Sequence, residues 1–375
     1  MANTRLKRRS DGRFAVKIRY TDANGKTHQF FVYDEDEQTC KDKAAEARER
    51  LRTGQPIKDS RGKLSDFAQE WLDTTLKLNK KLKETTKDWY TNQARKRIID
   101  DPIGNVRLDQ LRVSDIEKWI LAMQDTDLSE STIRGAYTTL HKILDSAMKK
   151  QLIRTNWAAL VERPTVTKHE AVYLDEKQVI ALLKASEESR YGLLIRLLAF
   201  TGLRRGEALS LKWKDNIRPN GTNKIHVTHT LARLHGKLTP TTPKTHNADR
   251  WLVISEPVAA VLKALKVRQA GERLKAGTAW EDTGYVFTTE TGQPCDPRNA
   301  LRALYTAAQA AGLSGIGLHT LRHSAATLML DAGVPLLTVS RQLGHYSVSV
   351  TGDLYGHVGD SASEQAMNAL AEAIG

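Results

Sequence analysis

Hydrophobic and polar positions alternate near the start of this chain and recur at helical spacing through most of the rest. Phe14, Val16, Ile18 and Tyr20 alternate with Ala15, Lys17 and Arg19, a period of two that predicts a strand. A second strand is expected over His28 to Tyr33, because Asp22 to Lys26 supplies the asparagine and glycine that tolerate positive φ in a hairpin turn. A charged helical stretch from about Gln38 to Arg52 closes this small unit, and Gly54-Gln55-Pro56 with Ser60-Arg61-Gly62 then breaks the pattern as a linker would.

From Leu64 to about Arg163 apolar residues fall on one helical face after another, as in Phe67, Trp71 and Leu72 or Ile116, Ile120 and Met123, and no strand is expected. Pro164 to Thr167 separates this block from a third region, whose opening Leu174-Asp175-Glu176-Lys177-Gln178 reads as a capped helix. That region is mostly helical, with strand-like stretches over Lys224 to Thr230 and Trp251 to Ile254 on either side of a long connection. The pattern therefore predicts a multidomain, mainly α protein with small β elements. Its parts are a β-rich module over residues 1–60, a helical domain over 61–165 and a mixed α+β domain over 166–375.

Composition narrows the partner. The net charge of +13 is spread along all 375 residues, which favours a polyanion, and nucleic acid over a membrane surface. Lys80, Lys81, Lys83 and Lys87, then Arg95, Lys96 and Arg97, then Lys142, Lys149 and Lys150, lie on the polar sides of the expected helices. Solvation explains most such runs, and the overall charge adds weight to phosphate contact. Cys40 and Cys295 are far apart and lack metal-ligand spacing, so neither a disulfide framework nor a zinc module is expected and a reducing cytoplasm fits. No apolar run approaches the roughly 20 residues of a membrane span, and no apolar segment follows Arg5, Lys7, Arg8 and Arg9, so neither secretion nor insertion is expected.

The chain contains no Walker-type glycine loop, no HExxH, no acidic metal cluster and no Gly-x-Ser-x-Gly elbow. What remains is three short contexts in the third region. In Thr201-Gly202-Leu203-Arg204-Arg205-Gly206-Glu207, Gly202 can end one helix and Arg204 open the next, aiming a guanidinium fork at a phosphate. In Leu318-His319-Thr320-Leu321-Arg322-His323, helical spacing sets His319 and Arg322 on one face. Read instead as a metal pair, His319 and His323 lack nearby carboxylate or cysteine ligands, and a purely structural role is the stronger alternative for His323. In Gln342-Leu343-Gly344-His345-Tyr346, Gly344 ends a helix and leaves His345 at its tip, with Tyr355 ten residues further on. A tyrosine in such a place is more often core than nucleophile when considered alone.

Together, in this order and at these separations, the three contexts resemble the signature of the tyrosine recombinases, the phage integrase family. The agreement is residue by residue over Thr201 to Trp213, Leu318 to Leu330 and Leu343 to Val358, and in layout alone elsewhere. The resemblance implies a catalytic domain in the third region, a SAM-like core-binding domain in the second and an arm-type DNA-binding module in the first. It makes Arg204 and Arg322 phosphate clamps, His319 and His345 their hydrogen-bonding partners, and Tyr355 the nucleophile. The family's catalytic lysine is matched by Lys244 in Pro243 to Arg250, although Ala248 stands where serine is common, and Lys237 competes for the role. Glu207 matches a position that the family fills with an acid, either to orient its neighbours or as an ordinary helix-surface glutamate.

The implied activity is site-specific cleavage and rejoining of double-stranded DNA attachment sites, with no cofactor and no metal. The implied assembly is a homotetramer on two duplexes, with a host bending factor or excisionase as accessory partners. Ala366, Met367, Leu370 and Ala373 form a modest apolar stripe that would dock on a neighbouring protomer or, equally, pack within its own chain. Two other readings are a type IB topoisomerase-like enzyme and a non-catalytic DNA-binding regulator of the same fold. A metal-dependent nuclease would need a carboxylate constellation that the sequence lacks.

Overall fold

The computed structural model describes residues 6–21, 27–53, 61–167, 172–218, 223–242, 249–344, 368 and 371–372. The chain divides into two compact units, Met1–Lys168 and His169–Gly375. Among the described residues no helix is long and apolar enough to cross a membrane.

The first unit opens with β1 (Phe14–Thr21) and β2 (Thr27–Asp34), paired antiparallel so that Ile18 faces Phe30 and Lys17 faces Phe31. Alternation sends Val16, Ile18, Phe30 and Val32 to one face, where α1 (Glu37–Thr53) covers them with Ala44, Ala47 and Leu51. Phe31 and Tyr33 point the other way and stay exposed, stacked on each other, with Lys17 over Phe31 and with Arg9 and Arg13 over Tyr33. The expected turn at Asp22 to Lys26 lies outside the described residues, as does most of the expected linker.

A helical bundle follows: α2 (Leu64–Trp71), α3 (Glu84–Ala94), α4 (Val113–Gln124) and α5 (Glu130–Lys149). Both α2 and α3 continue into π-helical turns, Leu72–Leu76 and Arg95–Ile99. Leu64, Ile98, Leu111, Ile116, Leu140, Ile143 and Leu144 form its core, and Ser129 caps the long α5 by accepting from the Thr132 N–H. Part of the basic runs is engaged within the fold: Lys87 meets Glu84, Lys150 meets Glu70, and Lys142 sits over the Tyr90 ring.

The second unit begins at α6 (Glu176–Ala185), capped by Asp175 and Gln178 as its sequence indicates. Its core is built around α7 (Gly192–Thr201), which is apolar on nearly every side because α6, α10, α11 and α12 all pack against it. After α7 come α8 (Arg205–Leu209), α9 (Trp213–Asn216), and a sheet of β3 (Ile217–Arg218), β4 (Lys224–Val227) and β7 (Arg250–Val253) in the order β3-β4-β7. Between β4 and β7 the long connection predicted from sequence is not structureless. It contains a second hairpin, β5 (Thr230–Leu234) and β6 (Lys237–Thr241), turning at His235 and Gly236 with positive φ. Pro240 inside β6 hides it from sequence, and a two-stranded ribbon tolerates that proline because one edge needs no partner. The helices α10 (Glu256–Ala276), α11 (Pro297–Ala310), α12 (Leu318–Asp331) and α13 (Leu336–Leu343) complete the unit.

Gly202 ends α7 at φ 63°, and a Cβ there would lie 2.5 Å from the Leu343 Cδ2 on α13. Gly202→Ala is therefore expected to cost about 1–3 kcal/mol, the penalty of a left-handed backbone plus displacement of Leu343. Thermal or denaturant unfolding measures it; unaltered stability would show that this turn carries no such constraint.

Candidate active site

Three segments distant in sequence meet at the turn between α7 and α8. The left-handed Gly202 reverses the chain, Leu203 drops into the core, and Arg204 takes the cap position of α8. Arg322, buried on α12, donates from Nη1 to the Gly202 carbonyl at 2.9 Å, which fixes the second arginine motif against the first. One α-helical turn earlier, His319 shares the Arg322 side of α12, and its ring meets the edge of His323 at a centroid separation of 4.8 Å.

Glu207 is not a surface glutamate. It is 2% exposed and holds three donors. Its Oε1 accepts from Arg204 Nη1 at 2.7 Å, and its Oε2 accepts from the Arg204 backbone N–H and from Arg250 Nη2, each at 3.0 Å. A carboxylate can be buried here because two guanidiniums surround it. Burial by itself raises the Glu207 pKa, but the charges and hydrogen bonds of Arg250 and Arg204 outweigh that and hold it below the usual carboxylate value. No sequence motif marks Arg250 as a site residue. Alternation along β7 turns it inward while Trp251 points out, and its Nε reaches the Gln342 carbonyl of α13 at 2.8 Å.

His319 has an edge open to solvent, yet desolvation by the surrounding protein, then the positive charge of His323, Arg322 and Arg204, pushes its pKa down to about 4. Its ring is neutral at physiological pH and able to accept a proton. Burial and Arg322 shift His323 in the same direction. Among the described residues no group of three or more His, Cys, Asp or Glu side chains is placed to hold a metal ion.

Residues 172–362 match the phage integrase family, and residues 63–124 match the phage integrase N-terminal SAM-like domain. The chain belongs to the phage integrase family. It is 26% identical to a tyrosine recombinase XerC-like protein of Caldanaerobacter subterraneus subsp. tengcongensis, over 90% of each chain. Its fold is similar to that of the Tn1549 transposon integrase in complex with transposon right end DNA, at a TM-score of 0.64 and 21% identity, over 82% of this chain and 99% of that one. It is also similar to a lambda integrase tetramer bound to a Holliday junction, at a TM-score of 0.59 and 17% identity, over 93% of this chain and 94% of the other.

Of the site residues expected for such an integrase, Arg204, His319 and Arg322 come together as described. Lys244, His345 and Tyr355 lie outside the described residues, as do Ala366, Met367, Leu370 and Ala373. Gly344 ends α13 in the left-handed conformation, and its carbonyl is 3.4 Å from Arg204 Nη2. Lys237, the competitor of Lys244, begins β6 opposite Leu234 with its side chain exposed.

Glu207→Gln is expected to destabilise the fold by about 3–5 kcal/mol, because it leaves the buried Arg250 guanidinium without its carboxylate. Since the pKa of Glu207 is depressed on folding, its contribution is present at neutral pH and is lost as pH falls below about 4. Unfolding curves of the two proteins should therefore converge in acid; a difference independent of pH would contradict the ion-pair account.

Proposed function

We propose that this chain is a site-specific recombinase that integrates and excises a mobile element, cutting DNA through a 3′-phosphotyrosine bond at Tyr355. The convergence of Arg204, Arg322 and a neutral His319 on one turn, in a member of the phage integrase family, is the observation that carries this reading. Attack by the Tyr355 oxygen on phosphorus forms the phosphotyrosine ester and breaks the bond to the 5′ oxygen. His319 takes the phenolic proton, and Lys244 gives one to the departing 5′ oxygen. Arg204 and Arg322, with His345, stabilise the negative charge that builds on the non-bridging oxygens, a task that fixed guanidiniums perform without a metal. The ester conserves the energy of the broken bond, so resealing to a new 5′ hydroxyl needs neither ATP nor a ligase.

The first 60 residues act as an arm-type DNA-binding module, 61–165 as the core-binding domain and 166–375 as the catalytic domain. In the first, the exposed Phe31–Tyr33 face with Lys17, Arg9 and Arg13 has the charge and shape to enter a DNA groove. Four protomers on two duplexes make the working assembly, with a bending factor or excisionase setting direction, and the cytoplasm is its compartment. The DNA-bound Tn1549 integrase and the lambda integrase tetramer on a Holliday junction support that arrangement by likeness of fold.

Incubation with two duplexes that carry candidate attachment sites is expected to yield joint molecules without ATP or divalent metal. Nicking and resealing without exchange between duplexes would favour a topoisomerase-like enzyme, and binding without cleavage a regulator. For the proton transfer, the cleavage rate should be level through neutral pH and fall only as pH approaches about 4, where His319 becomes charged. His319→Gln should slow cleavage about 100-fold. A rate that halves near the ordinary histidine pKa, and keeps that dependence in His319→Gln, would remove His319 from this role.

A further inference from the structure

We infer that Arg250 is a positioning residue of the cleavage reaction, locking the strand that follows Lys244 to the two segments that present Arg204 and His345. The inference rests on the recombinase reading above. Its basis is a ring of contacts within the second unit. From the Gln342 carbonyl it runs to Arg250, through Glu207 to Arg204, and back to α13 at the Gly344 carbonyl.

Each link restrains a different piece of the site. Arg250 is the first residue of β7 and stands six residues after Lys244. Its side chain is 7% exposed, so the charge has been brought inside the protein and is not merely resting on it. Ordinary packing at this position would be served by an aliphatic residue such as Leu252, the next inward position on the same strand. A guanidinium instead spans two acceptors at once, a carboxylate on α8 and a carbonyl in the last turn of α13, whose exposed carbonyls attract positive charge. His345 is the next residue after Gly344.

On the outer face the same strand end is held again. His226 Nε2 lies 2.7 Å from Asp249 Oδ1, and the His226 ring stacks on Trp251 at 4.0 Å. Asp249, Arg250 and Trp251 are thus anchored by alternate sides of the sheet. The residues that directly follow the Lys244 segment are therefore fixed in the fold, with Arg250 bonded to the same carboxylate that orients Arg204. A phosphate held by Arg204 and a proton donor carried by the preceding segment share one reference frame.

The test compares full-length protein with Arg250→Lys and with Arg250→Gln. The lysine variant keeps the charge beside Glu207 but loses the fork, and the glutamine variant removes the charge while leaving Glu207 bonded to Arg204. Covalent-adduct formation is followed under single-turnover conditions on two DNA suicide substrates, one ordinary and one with sulfur replacing the bridging 5′ oxygen. Sulfur leaves without a proton, so it bypasses the general acid. At least one variant should melt within a few degrees of the parent and bind DNA equally, yet form adduct tenfold or more slowly on the ordinary substrate. The sulfur substrate should restore most of that loss.

A folded variant with the parental rate on ordinary DNA overturns the inference. So does a slow variant that sulfur does not rescue, because that defect is merely structural. Failure of the recombinase reading looks different: unaltered protein then forms no adduct on either substrate.

Discussion

A buried carboxylate shared by two guanidiniums sets the conditions for everything around it. Bringing cations together to grip a phosphate is costly before the phosphate arrives, since two unit charges about 4 Å apart repel by about 4 kcal/mol at an effective dielectric near 20. Glu207 offsets that repulsion from inside the protein, and its depressed pKa keeps it ionised at neutral pH. Arg204 is thereby oriented from below while its side chain stays 39% exposed and able to reach a ligand. Arg322 is fixed by a different device, a main-chain carbonyl released at the left-handed turn of Gly202. Both arginines are held by contacts within the protein, which is what the charge stabilisation proposed above requires.

The remaining positive charge divides into two kinds. Some is consumed by structure, as where Lys87 and Lys150 meet acids of the same bundle and Arg190 forks onto Glu272 in the second unit. Some is displayed, as at Lys17 on the N-terminal hairpin, which lies over the exposed Phe31 ring, whereas Arg9 and Arg13 nearby are shared between the Tyr33 ring and Asp11. The displayed kind is what a nucleic acid meets first, and it makes affinity depend on salt. Net charge alone does not separate the two; pairing within the fold does.

Much of this was legible in the sequence, for identifiable reasons. The alternation from Phe14 to Tyr20, the cap at Asp175 and the stops at Gly202 and Gly344 are local signals, and the structure forms each where the residues place it. The strands of the β5–β6 hairpin have no clean period of their own, because Pro240 and the mixed polarity of Thr230 to Thr241 interrupt it. The burial of Glu207 has no local signal because it depends on Arg250, 43 residues later and on another element. Arg250 itself carried a weak signal, an arginine at an inward position of a strand between Asp249 and Leu252, whose meaning appears only once β7 is laid beside β4.

The central claim is that Tyr355 joins this protein to DNA. It is tested most directly by incubating intact protein and Tyr355→Phe with suicide substrates tiled across the ends of a candidate element, with chelator present, and looking for an adduct that survives denaturant. The account predicts a metal-independent adduct with intact protein and none with the phenylalanine variant. An adduct that persists in Tyr355→Phe, or one that chelator abolishes in the intact protein, would contradict it.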